Sequence, residues 1–201
     1  GNPILKTPHL DDLHSESLRL EDYHVSPMCA PTRGQLMTGL DAARNGCINV
    51  SSGRGLLRPE VPIMANFFGD AGYETGLFGK WHLGDQREFL PTRQGFDHYF
   101  GLLHNLDPVE IVYFEDKGGV PLMRNGDVVK RPADPAELTK LYTDEAIEFM
   151  EKNRNDPFFL YLPWSIPRAP LQDPDADSST AFDVGAKSNT PEGRKAFVKM
   201  V

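Results

Sequence analysis

One thiol in this chain, Cys29, stands four residues before an arginine and across a proline, in Cys29-Ala30-Pro31-Thr32-Arg33. A nucleophile one helical turn from a guanidinium suits attack on an anionic centre, with the arginine offsetting the charge. A Cys-x-Pro-x-Arg match arises by chance in roughly one chain of this length in a hundred, so the pattern needs corroboration. Gly79-Lys80-Trp81-His82-Leu83-Gly84 supplies it, placing a cation and an imidazole in a glycine-bracketed turn after the apolar run Tyr73 to Phe78. Lys80 and His82 alternate across what reads as an extended segment, which would project both to one side and Trp81 into packing. The competing assignment for Cys29 is a buried structural thiol, or a disulfide with Cys47, the second cysteine.

Positioning such residues takes an α/β framework. A helix is expected from Thr7 as N-cap with Pro8 at the first helical position, followed by an extended segment from Leu18 to Val25. Arg33 to Thr38 reads as helix ending at Gly39, which puts Cys29 at a helix N-terminus, where amide groups and the helix dipole favour an anion. Pro62 to Phe68 reads as helix and Tyr73 to Phe78 as strand. From about Gly101 to Pro132 the pattern weakens into short extended pieces with Gly118-Gly119 and Asn125-Gly126 turns, an excursion or hairpin over a sheet edge. The clearest helix starts at Asp134, with Glu137 at the capping-box position, and runs to Phe149. Pro157 to Leu162 has the continuous apolar pattern of a strand buried on both faces. Residues 172–194, rich in Asp, Ser, Pro and Gly, read as a mobile surface loop.

At 201 residues with 39% hydrophobic content, the chain is long enough for one sizeable core. A net charge of -8 argues against nucleic acid as a partner, since phosphate binding needs clustered cations. It is compatible with a locally positive site built by Arg33, Lys80 and His82. No run has the apolar length of a membrane-spanning helix, and the N-terminus lacks the charged and apolar regions of a signal peptide. The chain opens without methionine and stops in what reads as an early helix, so both ends are expected to be cuts. No Walker or dinucleotide loop is present, and His9, His14, His24 and His98 show no metal-ligand spacing.

Together the two motifs resemble the sulfatase family, whose signature continues after the arginine as Gly34-Gln35-Leu36-Met37-Thr38-Gly39. Val120 to Gly126 and Phe158-Phe159-Leu160-Tyr161 are most similar to the arylsulfatase A-like branch. The resemblance implies an α/β, alkaline-phosphatase-like fold, with a mixed, mostly parallel sheet between helices, and residues 1–201 as part of one catalytic domain. It implies a sulfuric ester hydrolase in which Cys29 is oxidised to formylglycine. One hydroxyl of the aldehyde hydrate would attack the ester sulfur and displace the alcohol. The other would collapse to the aldehyde and expel sulfate. By the same resemblance Arg33 holds the hydrate, Lys80 binds a sulfate oxygen, and His82 hydrogen-bonds the formylglycine hydroxyl. His104 and Asn105 fall where family members often contribute a site residue.

Family resemblance also implies one divalent cation, usually Ca2+, with Cys29 as formylglycine among its ligands. Its acidic ligands, an Asp-Asp and an Asp-Asn pair, are expected outside this chain, which reads as an internal piece of a longer sulfatase and inactive by itself. Asp11-Asp12 is no substitute, being a charged pair on an amphipathic helix and so expected to be solvated. A second departure is Arg168, where the family pattern has histidine. Arginine still binds an anion, but it cannot release a proton near neutral pH. The implied partners are a sulfated small molecule or glycan and a formylglycine-generating enzyme, and the implied location is periplasmic, lysosomal or secreted. Two alternatives stay open: a phosphonate or phosphate ester hydrolase using the same cysteine motif, and a non-catalytic sulfate-binding relative.

Overall fold

A computed structural model describes residues 4–50, 55–106 and 114–167. Ser26–Ser165 forms one compact unit, and the flanking segments, up to Val25 and from Ile166, form another. Arg168 and the expected loop at 172–194 lie outside the described residues. In the flanking unit, α1 (Pro8–Glu16) follows Thr7 as N-cap with Pro8 opening the helix, as the sequence predicts. Asp11 and Asp12 are exposed on it, as expected of a solvated pair. Leu18 to Val25 departs from the expected extended segment. It is exposed coil with a turn at Glu21-Asp22; among the described residues no strand pairs with it, and two alternating leucines do not hold an extended segment by themselves.

Within Ser26–Ser165 the elements run α2 (Cys29–Thr38), α3 (Ala42–Asn45), α4 (Met64–Asp70), β1 (Glu74–Lys80), β2 (His98–Leu102), β3 (Leu122–Arg124), β4 (Asp127–Lys130), α5 (Pro135–Lys152) and β5 (Phe158–Tyr161). They build a mixed sheet in the order β4-β3-β2-β1-β5. β1 is parallel to both β2 and β5, while β2–β3 and β3–β4 are antiparallel. The expected hairpin is therefore present as β3–β4, turning at Asn125-Gly126, with Asn125 at a left-handed φ of 52°. His98–Leu102 is a strand that propensity alone does not single out. Its partners hold it: Asp97 Oδ2 accepts from the Thr75 amide at 2.9 Å, and Asn125 Oδ1 accepts from the Tyr99 amide at 2.9 Å.

Side-chain alternation along β1 and β2 divides the core between two faces. Leu77, Trp81, Tyr99 and Leu103 pack with Met37 of α2 and Ala65 of α4. Phe78, Phe100 and Leu102 pack with Leu138, Tyr142 and Phe149 of α5. Asp134 caps α5 by accepting from the Ala136 amide at 3.0 Å, but Glu137 does not close a capping box; its carboxylate pairs with Lys130. β5 also differs from expectation. It is half-buried along its whole length because, among the described residues, β1 is the only strand paired with it.

Two glycines let β1 and β2 approach where they leave the sheet. Gly101 has a φ of +156°, and a Cβ there would lie 1.9 Å from the carbonyl oxygen of Gly79. Gly101→Ala must therefore push the strand ends apart, at a cost of about 2–4 kcal/mol. Gly69→Ala, in α4 with open space around it, should leave stability equal or slightly higher. Urea unfolding of both variants checks this; equal midpoints would show that the close approach is not needed.

Candidate active site

Cys29 is the first residue of α2, and Met28 before it is extended. The first intrahelical bond runs from the Thr32 amide to Met28 O at 3.2 Å, and Pro31 has no N–H, so the Cys29 and Ala30 amides remain as helix-end donors. Polar contacts pin this end down. Thr32 Oγ1 donates to Ser26 O at 2.8 Å, and Ser26 Oγ donates to Gln35 Oε1 at 2.8 Å. The helix stops at Gly39, whose φ of 66° takes the left-handed conformation that ends helices.

The turn beyond β1 delivers the partners. Lys80 closes the strand, with its amide donating to Pro163 O at 2.9 Å, and it is buried, with only 3% of its surface exposed. Trp81 is fully buried and donates through Nε1 to Phe89 O at 2.9 Å, as expected for the residue facing away from the site. His82 does not simply continue an extended alternation: its φ is 58°, a left-handed conformation uncommon outside glycine. That backbone turn, held by its amide donating to Leu103 O at 3.2 Å, brings His82 Nδ1 to 3.2 Å from Cys29 Sγ. A strained residue whose ring meets a helix-end thiol is a functional signature with a geometric basis.

Arg33 reaches from one turn further along α2. Its Nη1 donates to Lys80 O at 2.5 Å and to the Tyr161 hydroxyl at 3.3 Å. The guanidinium thus ties α2 to the ends of β1 and β5, a positioning contact that the motif does not reveal. Burial pushes the Tyr161 phenol above its ordinary pKa, and the Arg33 charge partly opposes this. Tyr161 is the site residue that sequence reasoning missed, because it ends an apolar run that reads as core. The competing Cys29–Cys47 bridge is absent. Both thiols are free, and Cys47 lies buried against Gly34, where burial lifts its pKa to about 12.

His104 and Asn105 follow β2 at the same end of the sheet; Asn105 is buried, and His104 Nε2 faces Asp85 Oδ2 at 3.4 Å. The hydrogen bond from His104 holds the Asp85 carboxyl below its usual range. For the implied calcium the described residues do not fit. Among them, no three His, Cys, Asp or Glu side chains gather to hold a metal; the side chain that meets Cys29 is the His82 imidazole, and the Arg33 guanidinium lies on Lys80 O. Those donors suit an oxyanion.

A thiol at a helix N-terminus, faced by an imidazole at the carboxyl edge of parallel strands, is where sheets of this class bind and transform anionic ligands. The model of the Sulfatase family matches residues 1–189, and the chain belongs to that family. It is 32% identical over 189 residues to N-acetylgalactosamine-6-sulfatase of Mus musculus, covering 83% of this chain and 35% of the relative. Arylsulfatase G of Rattus norvegicus is 30% identical over 197 residues, covering 82% and 37%. The chain therefore spans little more than a third of these curated relatives. Among solved structures, Ps i-CgsB superposes with a TM-score of 0.67 at 31% identity, covering 87% of this chain and 41% of that one. The PsFucS1 sulfatase from Pseudoalteromonas sp. gives 0.65 at 20% identity, covering 95% and 47%, a likeness of fold. The five-stranded mixed sheet between helices is thus part of the alkaline-phosphatase-like fold.

The two thiols differ enough to test. In protein made without a formylglycine-generating enzyme, iodoacetamide at neutral pH should label Cys29 and spare Cys47 until the chain is unfolded, because a buried thiol with a pKa of about 12 presents almost no thiolate. Peptide mass mapping reads the order of labelling. A Cys47 adduct on folded protein would contradict the packing described.

Proposed function

We propose that the protein of which residues 1–201 are a part is a formylglycine-dependent sulfuric ester hydrolase, and that these residues belong to its one catalytic domain. The observation that carries the reading is the 3.2 Å approach of His82 Nδ1 to Cys29 Sγ at the head of α2, with Arg33 and Lys80 sharing the same strand end. Formylglycine at position 29, as its hydrate, would offer one hydroxyl to form the bond to sulfur as the alcohol leaves. Its second hydroxyl would lose a proton as the carbon–oxygen bond to sulfate breaks and the aldehyde returns. Water then restores the hydrate.

The chain's own residues do the rest. His82 Nδ1 lies where it can exchange a proton with the hydroxyl that replaces the Cys29 sulfur. The helix-end amides, and the ammonium of Lys80, which is nearly cut off from water, would offset the charge that grows on the transferring group. Arg33 adds positive charge and keeps the Lys80 segment against α2. His104 and Asn105 sit at the mouth of the same strand ends as candidate substrate contacts. Arg168 is assigned anion binding, and leaving-group protonation is left to another residue. The family's divalent cation, where bound, would supply Lewis-acid chemistry, and the described residues offer no carboxylate cluster to hold it.

Sulfated glycans or small molecules are the substrate class. The relatives include a protein named N-acetylgalactosamine-6-sulfatase, and Ps i-CgsB is solved with k-i-k-neocarrahexaose. The compartment is read with the family as periplasmic, lysosomal or secreted. Full-length protein co-produced with a formylglycine-generating enzyme should show a Cys29 peptide lighter by about 18 Da and should hydrolyse an aryl sulfate. Cys29→Ala should abolish that activity, and His82→Ala should lower kcat by about 10²–10⁴-fold. Preference for an aryl phosphonate would move the assignment to phosphorus chemistry. Sulfate binding without turnover by converted, calcium-loaded protein would make it a non-catalytic relative.

A further inference from the structure

A groove of about 610 Å³ is lined by Leu103, which follows β2, by Gly126 of the β3–β4 turn and by the segment from Asp85 to Arg93. Leu103 O is the acceptor of the His82 amide, at 3.2 Å, so one pair of chain segments builds both the groove and the Cys29 site. The outer wall comes from two short 3-10 turns, Arg87–Phe89 and Pro91–Arg93, whose arginines both line the groove and are exposed.

Arg19, Arg124, Lys130 and Lys140 each meet a carboxylate. Arg87 and Arg93, like the exposed Arg44 and Arg154, make no ion pair or side-chain hydrogen bond among the described residues, and these two line one groove together. The chain carries 29 acidic against 21 basic residues, so carboxylates for them are not scarce. Asp85 is the acid among the lining residues, and it is turned to His104 at 3.4 Å. Two guanidiniums lining one groove, with the acid among its described lining residues already engaged, leave planar donors that an external oxoanion can take up. Leu103 supplies apolar wall for the face of a sugar ring, and the volume lies within the ~300–1,000 Å³ of small-molecule sites, far above the needs of one sulfate.

We propose that this groove is a second anion subsite, in which Arg87 and Arg93 take a sulfate or carboxylate carried by the sugar next to the one at Cys29. The proposal rests on the sulfatase reading of the Cys29 site and narrows its substrate class. The preferred substrate is a polyanionic oligosaccharide, in place of a monosulfated aryl or steroid ester.

The test is calorimetric binding to full-length protein carrying Cys29→Ala, so that nothing is turned over. Two probes are used: a sulfated, uronate-containing tetrasaccharide and its fully desulfated counterpart. Arg87→Gln with Arg93→Gln should weaken the sulfated probe by about tenfold, while the charge control Arg154→Gln should not. Loss on both probes makes the subsite general for oxoanions, and loss on the sulfated probe alone makes it a sulfate subsite. Unchanged affinity, or an equal loss in the Arg154 control, overturns the proposal. Aryl sulfate hydrolysis by the converted wild-type protein is measured separately. Failure there with the arginine-dependent binding intact removes the catalytic reading, while hydrolysis without that dependence removes only the groove.

Discussion

The Arg33 guanidinium is the tie on which the arrangement of the site depends. It leaves α2 one turn after Cys29 and bonds the Lys80 carbonyl and the Tyr161 hydroxyl, so one side chain joins a helix to the ends of two parallel strands. Each contact involves a charged donor in a half-buried setting, worth about 1.5–3 kcal/mol, and removing it would strand a carbonyl at the strand end. Charge is therefore used twice. The guanidinium positions the Lys80 turn, and the same positive charge partly opposes the burial-driven rise of the Tyr161 pKa.

Around that tie, polarity is sorted by where backbone groups run out of partners. The parallel strands end at Lys80 and Leu102; the amides of Lys80, Trp81 and His82 donate to the carbonyls of Pro163, Leu102 and Leu103, and the Lys80 carbonyl accepts from Arg33. His82 accepts a left-handed backbone to complete this bonding, and its ring is thereby delivered to Cys29. The conformational cost, of order 1–3 kcal/mol, is offset by the buried Trp81 beside it, whose indole is fully covered and hydrogen-bonded. The opposite end of the sheet is tied differently, by Thr75 to Asp97 and by His98 to Glu74 at 2.6 Å, and it gathers no comparable nucleophile.

Much of the framework was legible because local signals agreed with tertiary demand. Thr7-Pro8, Asp134-Pro135 and Gly39 mark helix ends through short-range chemistry, and the structure has helices bounded there. Leu18 to Val25 misled, because two alternating leucines carry no information about whether a neighbouring strand exists. His98 to Leu102 was silent for the converse reason: its strand is imposed by β1 on one side and β3 on the other. Pro157 to Leu162 was recognised as a strand, yet its half-buried state follows from its neighbours and from nothing within it.

For the candidate site, residue types and spacing sufficed to propose Cys29, Arg33, Lys80 and His82, since a nucleophile, two cations and an imidazole in two glycine-marked turns suggest a chemistry. They also sufficed for the family. The distance between Cys29 and His82 could not be read from the chain, because 53 residues separate them and only the sheet, α2 and one left-handed residue bring them to 3.2 Å. Tyr161 and the Arg87–Arg93 groove were hidden for the same reason. A tyrosine ending an apolar run and two arginines in a polar loop acquire meaning only when packing decides which groups they face and which carboxylates are already engaged.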